Sequence, residues 1–198
     1  MARDDKHEVD LRRVVTAVAL LNLGYFGVEI AVALAIGSVS LFADSVDFLE
    51  DASVNLLILM ALGWSLKARA RVGMLLAAIL LAPTAATLWT AWDKFWDPAV
   101  PAPIALTLAG GGALLVNLVC ALMLARWRSH GGSLTRAAFL SARNDVAANV
   151  GIVAAGAATY ALHSPWPDLV VGLAIAAMNL DAAREVWEAA GEERRAAA

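Results

Sequence analysis

Six apolar blocks, joined by short connections rich in helix breakers, restrict this chain to a bundle of membrane-crossing helices. They cover roughly Val14–Ile36, Ser38–Trp64, Val72–Trp92, Ile104–Leu124, Ala137–Leu162 and Leu169–Leu180, the last extending through Asp181 toward Arg184. About 20 apolar residues cross the hydrocarbon core as a helix. The breakers are Gly37-Ser38, Asp97-Pro98 through Pro103, Gly131-Gly132 and Ser164-Pro165-Trp166-Pro167. Connections this short make sequential helices antiparallel neighbours. Composition agrees, with 61% hydrophobic residues against about 45–50% in soluble domains. The expected fold is all-α, six transmembrane helices in one antiparallel bundle, with residues 1–198 forming a single transmembrane domain. The charged N-terminus leads into an apolar run too long for a cleavable signal peptide. The tail AAREVWEAAGEERRAAA suits an amphipathic helix and cannot bury a core of its own, so no C-terminal cytoplasmic domain is expected.

Basic residues orient the bundle. Arg3, Lys6, Arg12 and Arg13 precede the first span, and Lys67, Arg69 and Arg71 join the second to the third. Arg126, Arg128 and Arg136 join the fourth to the fifth, and Arg184, Arg194 and Arg195 follow the sixth. The opposite loops hold Lys94, and Arg143 lies inside the fifth span. Both termini are therefore expected on the cytoplasmic side. Trp89, Trp92, Trp96 and Trp166 gather at the other face, as an interfacial aromatic belt does.

Four acids interrupt the second block: Asp44, Asp47, Glu50 and Asp51. Each charge at membrane depth costs roughly 2.5–3.5 kcal/mol on insertion scales, so four cost on the order of 10 kcal/mol before compensation. At about 100° per residue, Asp47, Asp51 and Asn55 lie at about 300°, 340° and 20° from Asp44. They share one stripe, which must face the bundle interior or water. Glu50 falls on its shoulder, near 240°. The fifth span has a matching face of Ser141, Asn144, Asp145 and Ala148, with Asn149 beside it. In the first span Asn22 and Glu29, seven apart, share a face. Asn22 and Asn55 are equally compatible with interhelical glue and with support of a site. Asn117 and Asn179 read as structural, and Gly110-Gly111-Gly112, Gly151 and Gly156 read as points of close helix approach.

Asp47 and Asp51, one turn apart, converge with Asp145 from another helix. Carboxylates gathered at depth repel strongly in a low dielectric. Desolvation and like charge both favour protonation, and a divalent cation competes with protons for the same oxygens. That competition is a coupling mechanism: metal in, protons out. Enzyme chemistry fits poorly. His7, His130 and His163 lie in terminal or loop segments, and no Gly-Lys-Ser/Thr phosphate loop is present. An intramembrane aspartic protease would want one acid on each of two facing helices, not a pair on one helix. The single cysteine, Cys120, reads as a packing residue and excludes an intramolecular disulfide.

The run ALLNLGYFGVEIAVALAIGSVSLFADSVDFLEDASVN resembles the first two helices of the cation diffusion facilitator family of divalent-metal transporters. The shared pattern is Asn22 and Glu29, Gly37-Ser38, Ala43-Asp44, then Asp47 with Asp51. SARNDVAANVGIVAAG resembles the family's fifth helix, with Asp145 on the second motif position and Ser141 where a His or Asp is typical. WPDLVVGLAIAAMNL is similar to the start of the sixth. The resemblance implies a homodimeric secondary transporter in the lipid bilayer, a multi-pass protein of the bacterial inner membrane. Its partners would be divalent metal ions and protons, with no nucleic acid and no prosthetic cofactor. It implies Asp47, Asp51 and Asp145 as metal ligands and Ser141 as a weak fourth. Asp44, Asn22, Glu29, Asn144 and Asn55 would support the site or line the pathway. Zn²⁺ is the first expectation. Oxygen-only ligands also suit harder ions, so Cd²⁺, Co²⁺, Mn²⁺ and Fe²⁺ stay in the set. A metal-gated channel, a non-transporting metal sensor and a structural membrane subunit are the rival readings.

Overall fold

The computed structural model describes residues 2–60, 85–125, 127 and 132–196. Every regular element among them is a helix: α1 (Ala2–Ile36), α2 (Val39–Met60), α3 over 85–96, α4 (Pro103–Ala125), α5 (Gly132–Leu162) and α6 (Trp166–Ala196). The end of the second expected span at 61–64, most of the third at 72–84, and Lys67, Arg69, Arg71, Arg126 and Arg128 lie outside the described residues.

Asp10–Ile36, Pro103–Ala125 and Ser141–Leu162 are long and apolar enough to cross a membrane by length and composition. α2 has the length, with 22 residues, but carries the four acids. α6 continues as helix through the charged tail, where Arg184 and Glu188 pair one turn apart at 2.8 Å. The surface supports a lipid environment. Leu20, Leu34, Leu108, Leu115, Leu122, Val150 and Val170 point outward, while Asn22, Glu29, Asp44, Asp51, Asn55 and Asn149 are buried. A water-soluble bundle would reverse that arrangement.

α2 is the hub, packing against α1, α4, α5 and α6. Its entry is shaped by Gly37, which adopts φ 63°. Ser38 N donates to Ala33 O at 3.0 Å, closing α1 with a Schellman-type cap. α6 then approaches the start of α2 closely: a Cβ on Gly172 would lie 2.7 Å from Ser40 N and from the Val39 carbonyl carbon. Between α4 and α5, Gly110 faces Ile152 and Gly156 faces Thr107, while Gly112 faces Tyr25 on α1. These three glycines are close-approach points. Gly111 has no neighbour within 4 Å, and a Cβ on Gly151 would make an ordinary contact with Val171.

The apolar core has two main parts. Ala33, Leu41, Ala43, Leu106, Ala109, Ile152 and Ile175 fill the half nearer Gly37, and Val18, Cys120, Ala121, Leu124 and Ala142 fill the other. Asn22 and Glu29 on α1, and Asp145 and Asn149 on α5, fall between the two along their helices. The polar groups thus form a band across the bundle centre, with an apolar cluster on either side of it along the helices.

Candidate metal centre

α2 delivers its acids to this band by its own periodicity. Asp44, Asp51 and Asn55 are buried, and Asp47 and Glu50 are half-buried. Asp51 is the best supported. Its Oδ1 accepts from Ser141 Oγ at 2.9 Å, and its Oδ2 accepts from Asn22 Nδ2 at 3.3 Å. α5 and α1 are thereby joined to α2 through one carboxylate. Asp145, buried at 8% exposure, adjoins Asp51. Asp47 lies within electrostatic range of Asp44, Glu50, Asp51 and Asp145. Asn55 turns its amide back onto the Asp51 carbonyl at 2.7 Å.

Four residues nearer Gly37 on α5, Asn149 donates to Asp145 O at 2.7 Å and to Asp44 Oδ1 at 3.3 Å. Glu29 on α1 is fully buried and adjoins Asp44, the two side chains meeting in a carboxyl–carboxyl hydrogen bond. The polar band therefore has two tiers, Asp47–Asp51–Asp145 and Glu29–Asp44–Asn149. Among the described residues, no three Asp, Glu, His or Cys side chains stand close enough to hold a metal ion between them as they are.

The residues expected at the site divide clearly. Asp47, Asp51, Asp145, Ser141, Asp44, Asn22, Glu29 and Asn55 all reach the band. Asn144 does not: it is exposed, and its Oδ1 accepts from Arg143 Nη2 at 3.4 Å. The buried stripe of α5 runs through Ala142, Asp145, Asn149, Ile152 and Thr159. Asn144 sits about 100° from Asp145, which carries it off that stripe. Arg143, also exposed, points away from the acids.

Two features escaped sequence reasoning. Cys120 is more than packing: its Sγ lies 3.5 Å from Asn22 Oδ1, orienting the amide whose other end holds Asp51. A neutral thiol in an apolar run gave no signal of this. The second is a buried latch around Asp168, in the first turn of α6. Its Oδ1 accepts from Ser38 Oγ and Ser40 Oγ, both at 2.6 Å, and from Ser40 N at 3.1 Å. Its Oδ2 accepts from Val39 N at 3.0 Å and Lys94 Nζ at 2.9 Å. Lys94 also donates to Gly37 O at 2.6 Å. An acid from α6 thus caps the N-terminus of α2, where helix dipole and free amides favour an anion. Burial works against the charge on Asp168, but Lys94 beside it and the serine hydroxyls outweigh that, so its pKa lies below the ordinary carboxylate value.

Comparison with known proteins agrees with this architecture. Residues 15–191 match the family model described as the cation efflux transmembrane domain. The chain is similar to the zinc transporter ZitB of Pectobacterium atrosepticum, 28% identical over 207 residues, covering 94% of this chain and 62% of that relative. It therefore spans less than two thirds of the relative's length. A match over nearly the whole chain, on a bundle with a buried acidic centre, is decisive: the protein is a multi-pass integral membrane protein of the cation efflux, or cation diffusion facilitator, family.

Proposed function

We propose that this chain exports a divalent metal cation across a bacterial inner membrane in exchange for protons, with Zn²⁺ as first substrate. The observation that carries this reading is the juxtaposition of Asp51 with Asp145, with Asp47 in electrostatic range, inside a lipid-facing bundle. The donors that reach Asp51, from Ser141 and Asn22, are neutral. Lys94 is committed to Asp168, and Arg143 faces outward. Buried carboxylates without a basic partner are relieved by a cation or by protons. Because both compete for the same oxygens, entry of one drives release of the other.

In this reading Asp47, Asp51 and Asp145 bind the ion and Ser141 completes the site weakly. Asn22 orients Asp51, and Asn55 braces the same turn of α2. Asp44 and Glu29 lie on the path toward the Gly37 turn. Both termini are cytoplasmic, and two copies form the working dimer. Zn²⁺ is favoured by the zinc transporter named among the relatives. Oxygen ligands leave Cd²⁺, Co²⁺, Mn²⁺ and Fe²⁺ as further substrates.

Proteoliposome flux under an imposed pH gradient tests the exchange. Metal should accumulate with the gradient, and Asp47→Ala or Asp51→Ala should abolish accumulation. Flux indifferent to the gradient would indicate a channel. Full flux in both variants would sink the site assignment.

A further inference from the structure

Asn117 sits in the middle of the buried face of α4, 2% exposed, and its Oδ1 has no hydrogen-bond partner among the described residues. Asn179 on α6 behaves differently: its Nδ2 donates to Ala43 O at 3.1 Å and so ties α6 to α2. That bond is what an asparagine acting as interhelical glue makes. The carbonyl of Asn117 makes none. Buried polar atoms are paired in the great majority of cases, so an orphaned one calls for an explanation.

The register of the neighbouring helices shows what Asn117 faces. Gly110 on α4 meets Ile152 on α5, and three residues back Thr107 meets Gly156, so the two helices run antiparallel in close contact. Seven residues make nearly two full turns, about 10 Å along the axis. Two turns on from Gly110 stands Asn117, and two turns back from Ile152 stands Asp145. The two therefore take the equivalent places further along the same interface. On the other flank Cys120, three residues beyond Asn117, reaches Asn22 on α1. Asn22 and Asp145 both adjoin Asp51. Asn117 thus lies between the two residues that flank Asp51, on a helix that also packs against α2.

We propose that Asn117 is a further ligand of the divalent cation at the Asp47–Asp51–Asp145 site, supplying a neutral amide oxygen from α4. Carboxylates and side-chain carbonyls together are the donor set of a hard divalent cation. A neutral oxygen adds a ligand without adding to the repulsion among the three acids. Ion binding then gives the Asn117 carbonyl its missing partner and draws α4 onto the same centre as α2 and α5. The inference rests on the transport-site reading above, because it adds one residue to that site.

Calorimetric titration of the purified chain in detergent with Mn²⁺ at pH 8, paired with thermal unfolding without metal, tests it. Asn117→Leu keeps the branched shape and removes the unpaired acceptor. It should weaken Mn²⁺ binding at least about tenfold, while the metal-free thermal midpoint holds or rises. Asn117→Asp replaces the neutral oxygen by an anionic one and should tighten binding by a similar factor. Affinity equal to wild type in both variants overturns the proposal. So does a lower midpoint in Asn117→Leu with unchanged affinity, the mark of a packing residue. Should Asn117→Leu lose both affinity and stability, or fail to fold, Asn117→Asp decides alone. Asp51→Ala separates the two readings. If it loses the ion while both Asn117 variants match wild type, only the new ligand falls. If it keeps the ion, or if wild type binds none, the site assignment falls and this inference with it.

Discussion

Ser141 on α5 donates a 2.9 Å hydrogen bond to Asp51 on α2, so the residue expected as a weak fourth ligand instead holds the carboxylate proposed as a stronger one. The hydroxyl fixes Asp51 Oδ1 while adding little donor strength toward a metal. Ser141→His should therefore raise affinity for Zn²⁺ relative to Mn²⁺, because imidazole suits zinc and oxygen sets suit harder ions. Competitive titration of the two ions against the purified protein measures the ratio. An unchanged or reversed ratio would show that position 141 does not face the bound ion.

Asn22 holds the other oxygen of the same carboxylate and is itself oriented by Cys120. Removing groups that orient a metal ligand typically weakens binding about 10–100-fold. Asn22→Ala should fall in that range in a metal titration. Cys120→Ser keeps a donor and should stay near wild type, and Cys120→Ala should fall between the two. Equal affinity in all three variants would make the Cys120–Asn22–Asp51 chain mere packing.

The latch at the head of α2 predicts a stability defect rather than a binding defect. Lys94→Met strands Asp168 as a buried charge without its cation. Breaking a buried ion pair from one side costs about 3–5 kcal/mol. The thermal midpoint in detergent should drop accordingly, while metal stoichiometry in the folded fraction stays unchanged. A midpoint equal to wild type would mean that the serine hydroxyls and backbone amides suffice alone.

The same latch sets a pH limit. The Asp168 carboxyl titrates below its ordinary value in the folded protein, so its stabilisation is complete above the unfolded value of about 4. It is lost as pH falls further, through the folded value. The gap in thermal midpoint between wild type and Asp168→Asn should be constant from neutral pH to about 5 and should close below about 4. A gap that instead widens on acidification would contradict the assignment.

Close approach of α6 to α2 at Gly172 leaves no room for a methyl group, since the atoms opposite are backbone atoms of Val39 and Ser40. Gly172→Ala should destabilise by about 1–3 kcal/mol, the usual scale of overpacking. Gly111→Ala, with nothing within 4 Å, serves as the control. Thermal unfolding of the pair in detergent distinguishes a specific contact from a general intolerance of larger residues.

What the amino-acid order alone determined was whatever repeats along one helix. Apolar runs near 20 residues defined the membrane-crossing class, and the 100° step put Asp44, Asp47, Asp51 and Asn55 on one stripe. The same step brought Asn22 and Glu29 together on α1. It also put Asp145 on the polar face of α5, and the helical tail past Asp181 was anticipated. Relations between helices depend on rotation and depth, which periodicity does not contain. Asn144 was assigned inward from an arc drawn too wide, and the packed face of α5 turned it out. Cys120 and Asp168 were passed over because a thiol in a greasy run and an acid at a helix start look ordinary in isolation. Tertiary structure alone decided that the first orients Asn22 and that the second caps α2 with Lys94. The two-tier division of the acids was decided there too, because it follows from which helix faces α2 at each turn.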